Sequence, residues 1–378
     1  MNYKSVLPFF HDEDIDKILN EFREILSGNG MLTKGPRSKE FEKKYAEYTG
    51  CKFAISTNSC TTALEIVLKT IALKANDEVI VPTQTFIATG SCVVTCGGKV
   101  VFCDSDDDFL LDIEDLKKKI NDKTKAVIIV HFAGLIHPRI FELKQYLNER
   151  GIFLIEDCAH SNGAKIDGIM SGNIGDFGCH SFYSTKIMTT GEGGMITTND
   201  EELYKKLLLL RTHGTTKDSN LMQENHGGWY YEMQELGYNY RLSDLQAALG
   251  VAQLSRAKNG LEKRRAIAAS YDKAFKHITQ IKSPFYRAGH AFHLYVIQVA
   301  DRLGMYNHLK SKNIFAQVHY IPVHTMPYYK EQGFKKGDFP LSEDYYAQCL
   351  SLPMFPSLTD EELQYTIDSV IEPEDSRQ

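Results

Sequence analysis

The sequence predicts an α/β protein: a mostly parallel sheet with helices on both faces, followed by a smaller C-terminal α/β domain. Three observations point there. Short, nearly continuous apolar runs recur between residues 52 and 158, separated by segments with helical spacing; strands buried on both faces read this way. The 378 residues suit one large unit with a smaller partner. A long helical pattern at about 243–277 then leads toward two further apolar runs.

Taken in order, "DEDIDKILNEFREILSG" (12–28) spaces its apolar residues by three and four and ends at Gly28 and Gly30, which predicts an amphipathic helix. A short helix is expected at 37–49. Strands follow at "KFAIST" (52–57), "DEVIVP" (77–82), "KVVFCD" (99–104), "KAVIIVHF" (125–132) and "FLIEDC" (153–158). Helical patterns lie between them at about 61–73, from about 86, and near 140–150. A hairpin-like pair, "FGCHSFYS" and "GGMITTN", leads into a helix at about 201–211. The polar segment 212–234, with its glycines and histidines, reads as a long loop of the kind that is usually functional or mobile. Beyond the long helix, "FHLYVIQV" and "FAQVHYI" are expected strands of the smaller domain. The division falls at about 250, giving a large unit 1–250 and a small one 251–378.

With 43% hydrophobic and 24% charged residues this is ordinary globular material, and 43 basic against 49 acidic residues give a net charge of -6. That disfavours broad nucleic-acid binding, which needs a basic face. The eight cysteines contain no CxxC pair. Cys92 and Cys96 are expected on one buried helix face rather than on a metal, and no metal site is expected. The start, "MNYKSVLPFF", has too short an apolar run for export, so reduced thiols and a cytoplasmic location are expected. No stretch approaches the ~18 uninterrupted apolar residues that would suggest a membrane helix.

Ligands of such sheets collect beyond the carboxyl ends of the strands. Four features fall there. "STNSCTTALEI" puts Ser59, Thr61 and Thr62 at a strand-to-helix turn, where free N–H groups and the helix dipole can cradle a phosphate; a helix cap without a ligand looks the same. "FLIEDCAH" ends a buried strand on Asp157, which could pair with a ring nitrogen or cap the next helix. "CHSFYSTKIMTTGEGGMITTND" sets Lys186 among small, hydroxylated and glycine residues, as a solvated loop lysine or as one facing a cofactor. "ELGYNYRLSDLQAALG" places Asn239 and Arg241 just before a helix, as surface groups or as ligand contacts. Together they suit pyridoxal phosphate. A lysine forms the Schiff base, a carboxylate keeps the pyridine nitrogen protonated, a cradle anchors the phosphate, and an aromatic group covers the ring. Phe86 in "PTQTFIAT" is the stacking candidate, with a core phenylalanine as the alternative. An uncharged neighbourhood would keep the lysine amine available, since burial disfavours its charged form.

"NSCTTAL", "DEVIVPTQTFIATG", "IEDCAHSNGA", "SFYSTKIMTTGEGGMITTND" and "ELGYNYRLSDLQAALG" resemble the DegT/DnrJ/EryC1/StrS family, in the same order, from about residue 10 to 370. The resemblance implies a pyridoxal-phosphate-dependent aminotransferase of fold type I with a mostly parallel, seven-stranded central sheet. It also implies nucleotide-linked keto sugars as substrates and L-glutamate as amino donor. Carried over by position, Lys186 matches the Schiff-base lysine, Asp157 the pyridinium partner, and His160 the group near the cofactor's phenolic oxygen. Thr61, Thr62 and Ser181 match phosphate contacts, and Phe86 the stacking aromatic. Asn239 matches a residue given to the neighbouring subunit's phosphate site, which implies a homodimer with shared active sites. Cys60 stands where many members have glycine. The branch of sugar 3-dehydratases replaces the lysine by histidine; Lys186 is intact, so transamination is expected. Glu192 has no role legible in the sequence.

The C-terminal run, with "AQVHY", "PYY" and "DFPLSEDYY", resembles members that aminate C4 of UDP-4-keto-6-deoxy-N-acetylhexosamines in surface-glycan or nonulosonic acid biosynthesis. Lys34, Arg211, His319 and Tyr320 are candidate contacts to that substrate, with core or surface duty as the alternative. Relatives also aminate GDP- and dTDP-keto sugars or small keto phosphates. A non-enzymatic pyridoxal-phosphate-binding regulator would need a fused DNA-binding module, and the sequence shows no basic helix-turn-helix extension.

Overall fold

The computed structural model describes residues 10–284 and 288–372; of the segment read for export, residues 1–9 lie outside them. The first helix, α1 (Asp12–Glu24), carries Asp12, Glu13 and Asp14 in its first turn, where the helix dipole favours acids. It widens over 25–29, and Gly28 at φ +87 lets the chain leave. Next, α2 (Pro36–Thr49) opens on a proline whose missing N–H costs nothing at that position.

The alternation follows as expected, with α5 added where no helix is expected: β1 (Phe53–Thr57), α3 (Cys60–Thr70), β2 (Glu78–Pro82), α4 (Ile87–Thr95), β3 (Lys99–Cys103), α5 (Ile113–Lys119), β4 (Thr124–Val130), α6 (Ile140–Asn148) and β5 (Phe153–Asp157). A two-residue ribbon, β6 (Lys165–Ile166) and β7 (Ile169–Met170), precedes the hairpin of β8 (Phe177–Ser181) and β9 (Gly194–Thr198), then α7 (Glu201–Arg211). The central sheet has seven strands in the order β1-β9-β8-β5-β4-β2-β3. From β8 to β3 the strands are parallel, and β9 runs against both its neighbours.

Strand residues alternate between two cores. Val79, Val81, Ile128 and Ile155 pack with Leu64 and Val67 of α3 and Leu207 of α7. Ile80, Val127, Ile129 and Leu154 pack with Leu116 of α5 and Leu143 and Leu147 of α6. Full burial of each such side chain stabilises by roughly 1.5–3 kcal/mol, which is why continuous apolar runs were legible as strands.

Within 212–234 a minimal ladder forms between β10 (Thr215–Thr216) and β11 (Glu232–Met233). The long helix, α8 (Asp244–Phe275), begins with a capping box of Ser243 and Gln246. Its buried Asp244 accepts hydrogen bonds from Gly35 N, Arg37 N and Ser38 Oγ, each at 3.0 Å, tying α8 to the start of α2. Its second half sends Ile267, Tyr271 and Phe275 into a separate core with β12 (Tyr295–Gln298), α9 (Arg302–Ser311) and β13 (Cys349–Leu352). The expected division at about 250 therefore passes through one unbroken helix. Three more helices complete the described chain: α10 (Pro327–Lys330), α11 (Pro340–Gln348) and α12 (Asp360–Ile371).

"FAQVHYI" is not the strand expected. It makes one bridge, Gln317 to Ser351, and β12 pairs instead with β13. Pro322 has no N–H to extend a ladder, and His319 and Tyr320 are turned to the cavity described below. Cys92 is buried on α4 and Cys96 half-buried at its end, both as free thiols. Among the described residues no helix is long and apolar enough to cross a membrane.

Candidate active site

Register brings the chemistry to one edge of the sheet. Val130 pairs with Asp157, Asp157 with Cys179, and Ser181, two residues on, with Gly194. The ends of β5 and β8 thus put Asp157 and Ser181 side by side. The loop after β2 delivers Thr85 and Phe86, and the turn after β1 delivers Ser59, Cys60 and Thr61. They enclose a cavity of about 440 Å³, with Lys186 on the turn following β8.

The Lys186 side-chain amine has no hydrogen-bond or ion-pair partner among the described residues, while its backbone N–H donates to the Tyr183 carbonyl at 2.9 Å. Burial lowers its pKa from the usual lysine value, against the opposing pull of Asp157 and Cys60. Asp157 is buried at the strand end; Oδ1 accepts from Ala159 N at 3.1 Å and Oδ2 from Thr89 Oγ1 at 2.9 Å. Burial raises its pKa, partly offset by those two donors and by Lys186. The preceding Glu156 turns to the opposite face. Its oxygens accept from Gly172 N, Ile174 N, Gly175 N and His131, fixing the segment that leads into β8.

His160 Nδ1 accepts from Ala133 N at 3.3 Å, and Nε2 lies 3.0 Å from Tyr320 Oη. Burial drives its pKa well below the ordinary value, so the ring is neutral. With Nδ1 occupied as an acceptor, its single proton sits on Nε2 and points at the Tyr320 oxygen. The phenol's own proton is then free for another acceptor. His319 lies beside it, bonded through Nδ1 to Ser351 Oγ at 2.8 Å, and burial moves its pKa down to about 4.

At the start of α3, the N–H groups of Cys60 and Thr61 have no acceptor among the described residues. Thr61 and Ser181 face the cavity. Thr62 does not: its hydroxyl bonds to Asn58 Oδ1 at 2.7 Å and completes the capping box with Ser59. Phe86 is 55% exposed at the cavity wall, 6.0 Å from the Tyr320 ring, so the core alternative is set aside. Gly193 and Gly194 are close-packed. A Cβ on Gly193 would lie 2.3 Å from Thr190 Oγ1, and one on Gly194 would lie 2.4 Å from the Ser59 carbonyl oxygen. Glu192 acts through its backbone, its carbonyl accepting from Thr190 Oγ1 and Gln246 Nε2.

Lys34 and Arg211 are not brought to this cavity; they line a separate cleft beside α2. Arg211 is drawn there because its guanidinium pairs with Glu42 and donates to the Ser56 carbonyl, joining α7, α2 and β1. Asn239 is exposed and also stands outside the cavity of its own chain, bridged to Thr212. Sequence reasoning missed Thr85 and Thr89, whose one signal was a pair of hydroxyls four residues apart around Phe86.

The fit to pyridoxal phosphate rests on these atoms. An unpaired amine faces a buried carboxylate, and a helix start with two free N–H groups and two hydroxyls lines the same cavity. A half-exposed aromatic ring, Phe86, forms part of the wall.

The family model described as the DegT/DnrJ/EryC1/StrS aminotransferase family matches residues 12–371. The spore coat polysaccharide biosynthesis protein SpsC of Bacillus subtilis is 40% identical over 96% of this chain and 95% of its own. The GDP-perosamine synthase of Escherichia coli O157:H7 is 33% identical over 97% and 98%. Among solved structures, Helicobacter pylori PseC, an aminotransferase involved in the biosynthesis of pseudoaminic acid, superposes with a TM-score of 0.90 at 30% identity, covering 98% of this chain and 99% of that one. The sugar aminotransferase Spr1654 of Streptococcus pneumoniae in its PMP form gives 0.90 at 30% identity over 98% of both chains, and its PLP form 0.89 at 29% over the same shares. Fold, cavity and relatives agree on a pyridoxal-phosphate-dependent aminotransferase, and the chain belongs to the DegT/DnrJ/EryC1/StrS aminotransferase family.

Proposed function

We propose that this sugar aminotransferase moves the amino group of L-glutamate to C4 of a UDP-4-keto-6-deoxy-N-acetylhexosamine, in surface-glycan or nonulosonic acid biosynthesis. The observation that carries the reaction type is Lys186. Its unpaired amine, with its charged form disfavoured by burial, faces Asp157 across one cavity. Bound pyridoxal phosphate supplies an electron sink and carries nitrogen between the two half-reactions. The residues of the chain do the rest. Lys186 Nζ takes the proton from the donor's α-carbon and, in the second half, returns one to the sugar carbon. Asp157 would hold a proton on the ring nitrogen. Thr61, Ser181 and the two free N–H groups of α3 would hold the phosphate, while Thr62 keeps that turn closed. Phe86 would cover the ring, and His160, hydrogen-bonded to Tyr320, would lie near the phenolic oxygen. His319 and Tyr320 meet the sugar at the cavity wall.

Support for the UDP-linked substrate comes from the C-terminal resemblance and from likeness to PseC. A GDP-linked keto sugar is the second reading, favoured by the identity to GDP-perosamine synthase. Mass spectrometry of the protein with glutamate and a panel of UDP-, GDP- and dTDP-keto sugars plus small keto phosphates separates them. The UDP-N-acetyl sugar is expected to gain the amine fastest; faster amination of another member of the panel would replace this substrate.

Exposed Asn239 is read as serving the phosphate of a second copy in a homodimer. Lys186→Ala and Asn239→Ala chains, each inactive, should regain about a quarter of the native rate per chain when refolded together. Random pairing makes half the dimers mixed, with one intact site in each. No recovery would remove the shared site.

A further inference from the structure

We propose that Thr89 is a positioning residue for Asp157, its hydroxyl oriented by Thr85 so that the buried carboxylate stays ionised and directed into the cavity. The inference rests on the aminotransferase reading and goes beyond it to a residue at which no role has been placed.

Thr85, Thr89 and Asp157 are all buried. Thr85 Oγ1 lies 2.8 Å from Thr89 Oγ1, which lies 2.9 Å from Asp157 Oδ2. Each hydroxyl has one proton to donate. If Asp157 is ionised, Thr89 donates to it and accepts from Thr85, and every proton in the chain has an acceptor. If Asp157 is protonated, the chain reverses, and the Thr85 proton has no acceptor among the described residues. The network therefore favours the carboxylate.

That preference matters because little else supplies it. Among the described residues no cationic nitrogen lies within 4 Å of Asp157. The titratable groups facing it are Lys186 from the turn after β8, His131 after β4, Tyr320, and the thiols of Cys60 on α3, Cys92 on α4, Cys158 after β5 and Cys179 on β8. Burial pushes all four thiols and the phenol up, so they stay neutral. His131 is committed to Glu156 at 2.8 Å. Two hydrogen bonds, from Ala159 N and Thr89 Oγ1, are the largest effects that stand against burial, ahead of the pull of Lys186. The first fixes Oδ1 from the backbone and survives any substitution; the second depends on one hydroxyl. Position 89 sits in the first turn of α4, beside Phe86, so the same turn sets the wall of the cavity and the state of its floor.

The test uses the full chain loaded with pyridoxal phosphate labelled with ¹⁵N in the ring, as native protein, Thr89→Val and Thr89→Ser. The native ring nitrogen is expected at the protonated resonance. In Thr89→Val, which keeps shape and removes the donor, it should move toward the unprotonated position. A hydrogen bond to a charged group is lost, so kcat should fall about ten- to a hundredfold, with KM changed by no more than about twofold. Thr89→Ser should restore both resonance and rate. A protonated native nitrogen that is unmoved in Thr89→Val overturns the positioning role alone. A native nitrogen that is unprotonated, or a native chain that takes up no cofactor, overturns it together with the reading it rests on.

Discussion

Lys186 and Asp157 shift in opposite directions for the same physical reason. Burial disfavours both charges, lowering the pKa of the amine and raising that of the carboxylic acid. The lysine benefits, because a neutral amine is the form that moves protons. The aspartate is opposed, and its two hydrogen bonds, with the nearby Lys186, counter that pull. Asp157→Asn keeps the shape and removes the charge; kcat should drop at least about a hundredfold, roughly 3 kcal/mol of barrier, with cofactor still bound, as read by steady-state kinetics and absorbance. A variant near the native rate would show that the carboxylate charge is dispensable. Both residues stand out in the sequence: Asp157 closes an apolar run that reads as a strand, and Lys186 is a single charge among small, hydroxylated and glycine residues. Thr85 and Thr89 do not, because hydroxyls in an apolar helix start look like ordinary packing until a carboxylate from 68 residues away arrives beside them. Arg211 misled for the converse reason: a basic residue is visible in sequence, but its partner Glu42, 169 residues distant, is not.

Elements were legible where one face or both faces are buried by simple periodicity. The sheet strands and α8 follow from their patterns, and the ends of β5 and β8 followed with them. The segment 315–321 carries the same apolar character yet makes one bridge, since a strand needs a partner and that partner is set by tertiary packing. Gly250 shows packing overriding propensity. Glycine inside a helix is unfavourable by about 1 kcal/mol relative to alanine, yet here a Cβ would lie 2.6 Å from the Phe41 ring at the crossing of α2 and α8. Gly250→Val should therefore destabilise by about 1–3 kcal/mol, measured as a lower denaturant midpoint, with Phe41→Leu partly relieving it. An unchanged midpoint would mean that Phe41 yields freely to a larger side chain at the α2–α8 crossing.

At the scale of the molecule, one continuous helix joins two cores, and we propose that the smaller unit begins within α8 rather than at a linker. Stability should also depend on histidines kept neutral by burial. His180 and His290 are held down to about 3, and His319 to about 4. Unfolded histidines protonate near pH 6.5, so between there and about pH 4 the unfolded chain binds more protons than the folded one. Their contribution is fully present above that range and is lost as pH falls, at up to about 1.4 kcal/mol per pH unit for each histidine. Thermal melts from pH 7 to 4 should show a steady fall; a flat profile would indicate that these rings become solvated. Amino transfer to a keto sugar by Lys186, in the cavity at the sheet edge, can be followed with ¹⁵N-labelled glutamate and the UDP-4-keto-6-deoxy-N-acetylhexosamine, by mass spectrometry of native protein and Lys186→Ala. Label should appear on the sugar with the native protein and be absent with the variant; label transferred equally by both, or to no keto sugar of the panel, would contradict the account.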